Sequence, residues 1–70
     1  MKVRYFNYRG RPVRMTLDDR DIPELTEVWD PVRKRLAENL DIETEIFFDG
    51  RHAKAISQAE FEALLKSLTA

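Results

Sequence analysis

DIPELTEVWDPVRKRLAENL, residues 21 to 40, sets Ile22, Leu25, Trp29, Val32, Leu36 and Leu40 at spacings of three, four, three, four and four. Apolar residues at that period line one side of an α-helix, so the spacing predicts helix along the stretch. Asp21 with Glu24 resembles a capping box, with Pro23 one place later than the first-turn position it prefers. Pro31 interrupts the pattern, because inside a helix it removes a hydrogen bond and collides with the preceding turn. A cap at Asp30 with Pro31 opening a second helix accommodates it. The expectation is a short helix over residues 22 to 29 and a longer one over 31 to 40, kinked or restarted in line because the stripe keeps its phase.

Before this stretch lies a hairpin. Residues 5 to 15 read YFNYRGRPVRM, and from Met1 to Leu17 there are five basic residues and no Asp or Glu. A three-residue loop Tyr8-Arg9-Gly10, with glycine last in the left-handed conformation, pairs Val3 with Met15 and Tyr5 with Val13. One face is then apolar, and the other carries Lys2, Arg4, Phe6, Arg14 and Thr16, with Arg4 opposite Arg14. A two-residue Arg9-Gly10 turn sets Phe6 against Val13 and Arg4 against Met15, mixing charge with apolar groups, so the first register is expected.

After it the plan repeats. Residues 43 to 48 and 51 to 56 flank Asp49-Gly50, a strong signal for a type I′ hairpin turn, with Ile46 opposite Ala53, Glu45 opposite Lys54 and Phe47 opposite His52. Ser57 then caps a final helix, Glu60 completes the capping box, and Phe61, Leu64, Leu65 and Leu68 form its buried stripe. The order ββαββα implies a two-layer α+β domain, with a four-stranded, mostly antiparallel sheet and both helices on one face. Gly10-Arg11-Pro12-Val13-Arg14-Met15 aligns with Gly50-Arg51-His52-Ala53-Lys54-Ala55, which raises duplication of a ββα unit.

Composition bounds the function. Seventy residues, 43% hydrophobic and 36% charged, make a single small domain over residues 1 to 70 with enough apolar side chains for a core. Cysteine is absent, which removes disulfides and thiolate metal sites and fits a cytoplasmic setting. The longest run of aliphatic or aromatic residues is Ile46-Phe47-Phe48, so neither export nor membrane insertion is expected. Net charge is -1 but arranged in blocks: +5 over residues 1 to 17, -5 over 18 to 30, +2 over 31 to 40, -4 over 41 to 50 and +1 thereafter. Such blocks pair with one another as readily as with a partner.

Groups for catalysis are scarce. His52 is the lone histidine, and two glycines make neither a phosphate-cradling loop nor a nucleophile elbow. His52 reads as a solvent-facing strand residue. Asp18-Asp19-Arg20-Asp21 lacks the glycine and distal glutamate of a calcium loop, and acids there are expected from helix capping alone. No cofactor and no metal are expected.

The residue pattern points instead to a non-enzymatic small adaptor or regulator that acts by stoichiometric protein binding, of the kind bacteria, phage or other mobile elements encode. The expected docking patch is Arg4, Phe6, Tyr8, Arg9, Arg11 and Arg14, the arginines giving charge-assisted hydrogen bonds and the aromatics desolvated area. Homodimerisation is one version of such binding. The alternative is a nucleic-acid-binding regulator using the same basic, aromatic hairpin, with the arginines on phosphates and the rings on unpaired bases. The net charge and a pI near 5.8 weigh against it.

Overall fold

The computed structural model describes residues 2 to 48 and 50 to 69. In chain order it runs β1 (Lys2–Tyr8), β2 (Arg11–Leu17), β3 (Pro23–Asp30), β4 (Arg35–Glu38), α1 (Leu40–Phe48), β5 (Ala53–Ile56) and α2 (Gln58–Thr69). The α+β class holds, but the sheet has five strands, in the order β4-β3-β2-β1-β5 with every neighbouring pair antiparallel.

The first hairpin takes the register that the sequence argued against. Phe6 pairs with Val13, Arg4 with Met15 and Tyr5 with Arg14, joined by a two-residue turn in which Arg9 (φ 51°) and Gly10 (φ 87°) are both left-handed. The Gly10 N–H donates to the Asn7 side-chain oxygen at 2.7 Å, and the two positive φ values match the twist of the flanking strands. Arg4 therefore faces the same side as Met15 and Phe6, while Arg14 lies on the opposite side with Tyr5.

The helix expected over residues 21 to 40 is replaced by β3, a tight loop and β4. Asp18 closes the turn into β3, its carboxylate accepting the N–H groups of Arg20 (2.8 Å) and Ile22 (2.9 Å), with Asp21 left-handed at φ 62°. The cap foreseen at Asp30 is present: its carboxylate accepts the N–H groups of Val32 (2.9 Å) and Arg33 (3.2 Å), and its carbonyl accepts that of Lys34 at 2.7 Å. Only one helical turn follows, because Lys34 adopts φ 55° and sends the chain back as β4. Val32, a member of the apolar stripe, sits on that loop 88% exposed.

Residues 40 to 48 form a helix rather than the strand expected over 43 to 48. Asn39 caps it, its side-chain oxygen accepting the Ile42 N–H at 3.0 Å, and Asp41 and Glu43 lie in the first turn, where the helix dipole favours acids. At the other end the Gly50 N–H donates to the Glu45 carbonyl at 2.9 Å, with Gly50 at φ 70°. This glycine thus closes a helix instead of turning a hairpin; Asp49, the first residue of the turn expected there, lies outside the described residues. β5 forms as a strand but pairs with β1, so that Lys54 faces Asn7 rather than Glu45 and Ala53 faces Tyr8 rather than Ile46. With a strand before one aligned segment and a helix before the other, the two halves do not repeat a ββα unit.

The strands alternate between two covered faces, so the helices lie on opposite sides of the sheet and not on one. Tyr8, Val13 and Val28 form the cluster on the first side with Ile42 of α1, flanked by Phe6, Ile46 and Ala53. On the second side Phe61 of α2, 3% exposed, packs on Tyr5 with the rings tilted and their centroids 4.7 Å apart, and buried Pro12 and Trp29 belong to the same face. β4 and β5 occupy the two edges, and α1 carries the chain from one edge to the other.

The capping box at Ser57 forms as expected, with the Glu60 N–H donating to Ser57 Oγ at 3.1 Å and the Ser57 N–H to Glu60 Oε1 at 3.2 Å. Of the expected stripe, Phe61 is buried, Leu64 and Leu65 are half-buried, and Leu68 is exposed. Phe61→Ala should cost about 3 to 5 kcal/mol in urea unfolding, enough to unfold so small a domain. Val32→Asp, which a continuous helical stripe would not tolerate, should change stability by less than about 0.5 kcal/mol.

Candidate functional site

The six residues expected to form a docking patch are divided among different surroundings. Phe6 is half-buried against the first-side core, and Tyr8 is buried within it. The Tyr8 hydroxyl donates to Glu45 Oε2 at 2.6 Å, tying β1 to α1, and this bond, burial and the carboxylate charge all push the phenol pKa up. Arg9 lies over the Tyr8 ring, 5.6 Å from its centroid. Arg11 spends Nε (3.0 Å) and Nη2 (2.6 Å) on the Trp29 carbonyl. Arg14 holds Glu27 Oε1 through Nε and Nη2, each at 2.9 Å, across the β2–β3 ladder.

Arg4 is exposed beside a groove of about 260 Å³ that it shares with Met15, Leu17, Asp21, Ile46 and Phe47. Its neighbour Lys2 binds Asp21 at 2.8 Å, and that hydrogen bond and charge lower the Asp21 pKa, with a smaller contribution from Arg4. The acidic block therefore folds back on the basic one: Glu27 on Arg14 and Asp21 on Lys2. Among the six, Arg4 and Arg9 are the exposed residues, and with Arg4 and Arg14 on opposite faces of the sheet the expected continuous cationic face is not assembled.

A different surface gathers more chemistry. On the second side of the sheet, Trp29 of β3 pairs with Leu36 of β4. With Leu65 of α2 they floor an open groove of about 520 Å³, rimmed by Lys34, Arg35, Glu62, Lys66 and Thr69. The volume lies in the range of ligand sites, about 300 to 1,000 Å³. Asp30 sets the rim through its cap on the β3–β4 loop, and the N–H groups of Arg33 and Val32 hold its carboxyl pKa below the usual range. Arg33 returns to Asp30 at 3.8 Å, and Gln58 donates to Glu62 at 3.4 Å. Among the described residues Lys34, Arg35 and Lys66 have no side-chain hydrogen bond or ion pair.

Sequence reasoning missed this site because it placed Trp29 and Leu36 along one helical stripe, on successive helices, and not opposite each other in a hairpin. The signal was present in Arg33-Lys34-Arg35 directly after a capped Asp30-Pro31 turn. His52 is an exposed turn residue. Among the described residues no cluster of three or more His, Asp or Glu side chains could hold a metal ion. No described helix is long and apolar enough to cross a membrane. Comparison with protein-family models, curated proteins and solved structures gives no match for this chain.

Asp21 and Asp30 both give up protons more readily folded than unfolded. Their contribution to stability is therefore complete above the ordinary carboxylate range and drains as pH falls through their folded-state values. The melting temperature should drop as pH is lowered below about 4. Asp30→Asn, which keeps an acceptor oxygen but cannot titrate, should drop less steeply than the native chain; equal slopes would remove Asp30 from the acid response.

Proposed function

We propose that this chain is a non-enzymatic binding module that docks an acidic, partly apolar segment of a partner protein in the groove between β3–β4 and α2. One observation carries the reading: three cations whose side chains make no hydrogen bond or ion pair among the described residues, Lys34, Arg35 and Lys66, share with the single acid Glu62 the rim of an apolar floor of Trp29, Leu36 and Leu65. Such a floor gains from burial, and lysine and arginine on its rim select carboxylates and set the orientation of the bound segment.

The absence of an enzymatic role is supported by the fate of the perturbed groups. Tyr8, Asp21 and Asp30 have shifted pKa values, but each is held by a bond that closes a turn or joins two elements, and they do not converge on one cleft. The nucleic-acid alternative on the hairpin has weaker support, since Arg14 and Lys2 carry carboxylates and Arg11 a carbonyl. Protein docking at the β5 or β4 edge is less favoured too, as each is only four residues long.

Trp29 is the single tryptophan, so its emission reports on the groove. A short synthetic peptide of Asp, Glu, Leu and Phe should shift that emission saturably, with weaker binding at high salt, while its Lys-for-acid counterpart should not. The double variant Arg35→Glu/Lys66→Glu should lose at least about tenfold in affinity for the acidic peptide. No shift with the acidic peptide at low salt, or an equal shift in the double variant, would overturn the reading. Binding of random duplex or single-stranded DNA that needs the same two cations would put the nucleic-acid reading in its place.

A further inference from the structure

α1 is apolar on two sides. Ile42 and Ile46 face the sheet, while Leu40, Thr44 and Phe48 run along the outside, joined by Phe47, which borders the Arg4 groove with one side and is half exposed on the other. Leu40 is 65% exposed, Phe47 51% and Phe48 80%, and the two phenyl rings meet edge to face at 5.1 Å. The helix carries Asp41, Glu43 and Glu45 and no basic residue, and with Glu45 held by Tyr8, Asp41 and Glu43 remain to border the outer stripe. An acidic, partly apolar segment of the kind the groove would take is thus displayed on the other side of the same molecule.

We infer that the groove between β3–β4 and α2 receives the outer face of α1 from a second copy of the chain, so that copies associate head to tail. The inference rests on the docking reading above and names its partner. Charge complementarity selects it: Lys34, Arg35 and Lys66 would meet Asp41 and Glu43, while the rings of Phe47 and Phe48 cover Trp29, Leu36 and Leu65. A two-fold pairing of α1 with α1 would bury the same rings but set Asp41 and Glu43 of one copy against those of the other. Because the groove and the outer α1 stripe lie on opposite sides of the sheet, each added copy leaves one of each surface open. Association of this kind grows into chains or closes as a ring, and does not stop at a two-fold dimer.

Sedimentation of the native chain from micromolar to millimolar concentration tests this. The mean mass should climb past that of a dimer and fall back as salt is raised. Arg35→Glu/Lys66→Glu removes the groove's charge, and Leu40→Ser/Phe48→Ser removes two exposed side chains from the helix; each should weaken association at least about tenfold. Far-UV circular dichroism and melting establish that both variants fold. Their equimolar mixture is the decisive arm, since one retains only the helix surface and the other only the groove: it should form a dimer and go no further.

A native chain that stays monomeric throughout, one that stops at a dimer, or a mixture that gives no dimer would overturn self-association. A monomeric chain whose Trp29 emission still responds to the acidic peptide would sink this inference and leave the docking reading standing. Failure of both measurements would remove the two together.

Discussion

The register of β1 against β2 governs the rest of the molecule. With Arg9 and Gly10 both left-handed, the turn admits two residues and places Phe6 opposite Val13. Shifting the pairing by one residue would move every side chain of one strand to the other face. β2 is the middle strand, so the choice spreads outward, to Val28 of β3 through Val13 and to Ala55 of β5 through Phe6. It leaves Val13, Met15 and Leu17 on one side and Pro12 on the other, all buried. Both faces of the centre then need cover, and one helix on each supplies it.

The same topology explains where the charges end. Folding β1 and β2 beside β3 lays the first seventeen residues, which hold no acid, against the acidic block that follows. Arg14 reaches Glu27 across a ladder, and Lys2 reaches Asp21 in the next turn. Exposed pairs of this sort add little stability, but they remove the like-charge repulsion that an unmatched basic hairpin would carry. β4 is an edge strand, and although Arg35 stands opposite Asp30 across the β3–β4 ladder, that carboxylate is bonded to the Val32 and Arg33 N–H groups rather than to Arg35. Cations without a bonded acid therefore stand at two places, at Arg4 on the hairpin and at the edge beside α2.

What was legible in the sequence follows from how local each signal is. The β1 and β2 strands and the Ser57-to-Glu60 box rest on alternation and on bonds spanning three residues, and they formed. The stretch from residue 21 to 40 failed because β3 is covered on both sides: Thr26 and Val28 pack one way and Trp29 the other, so clean alternation is lost. The surviving spacing then fits a helix by coincidence, although Pro31 marks the break. Gly50 was ambiguous for a different reason, since a left-handed glycine ends a helix as readily as it turns a hairpin. Asn39 followed by Asp41 and Glu43 was the local sign that favoured the helix. The groove was hidden because Trp29 and Leu36 meet only through a hairpin, and Leu65 reaches them only through α2 on the second face.

Small size connects the exposed stripe of α1 to the groove. A domain of this length has room for only a few kcal/mol of net stability, about 3 to 5, so helical surface left in water is expensive relative to the whole. The sheet can cover one side of α1, and Ile42 and Ile46 use it. Leu40 and Phe48 stay largely in water and Phe47, at the border of the Arg4 groove, is half exposed, while within one molecule α2 is committed to the far face, where Phe61 packs on Tyr5. No element of the described chain is left to cover them. Any surface that buries them only in the folded state adds to folding stability by mass action, in proportion to the logarithm of partner concentration. A groove whose floor is apolar and whose rim is cationic favours occupants that are apolar and acidic, and α1 has both properties on its outward side.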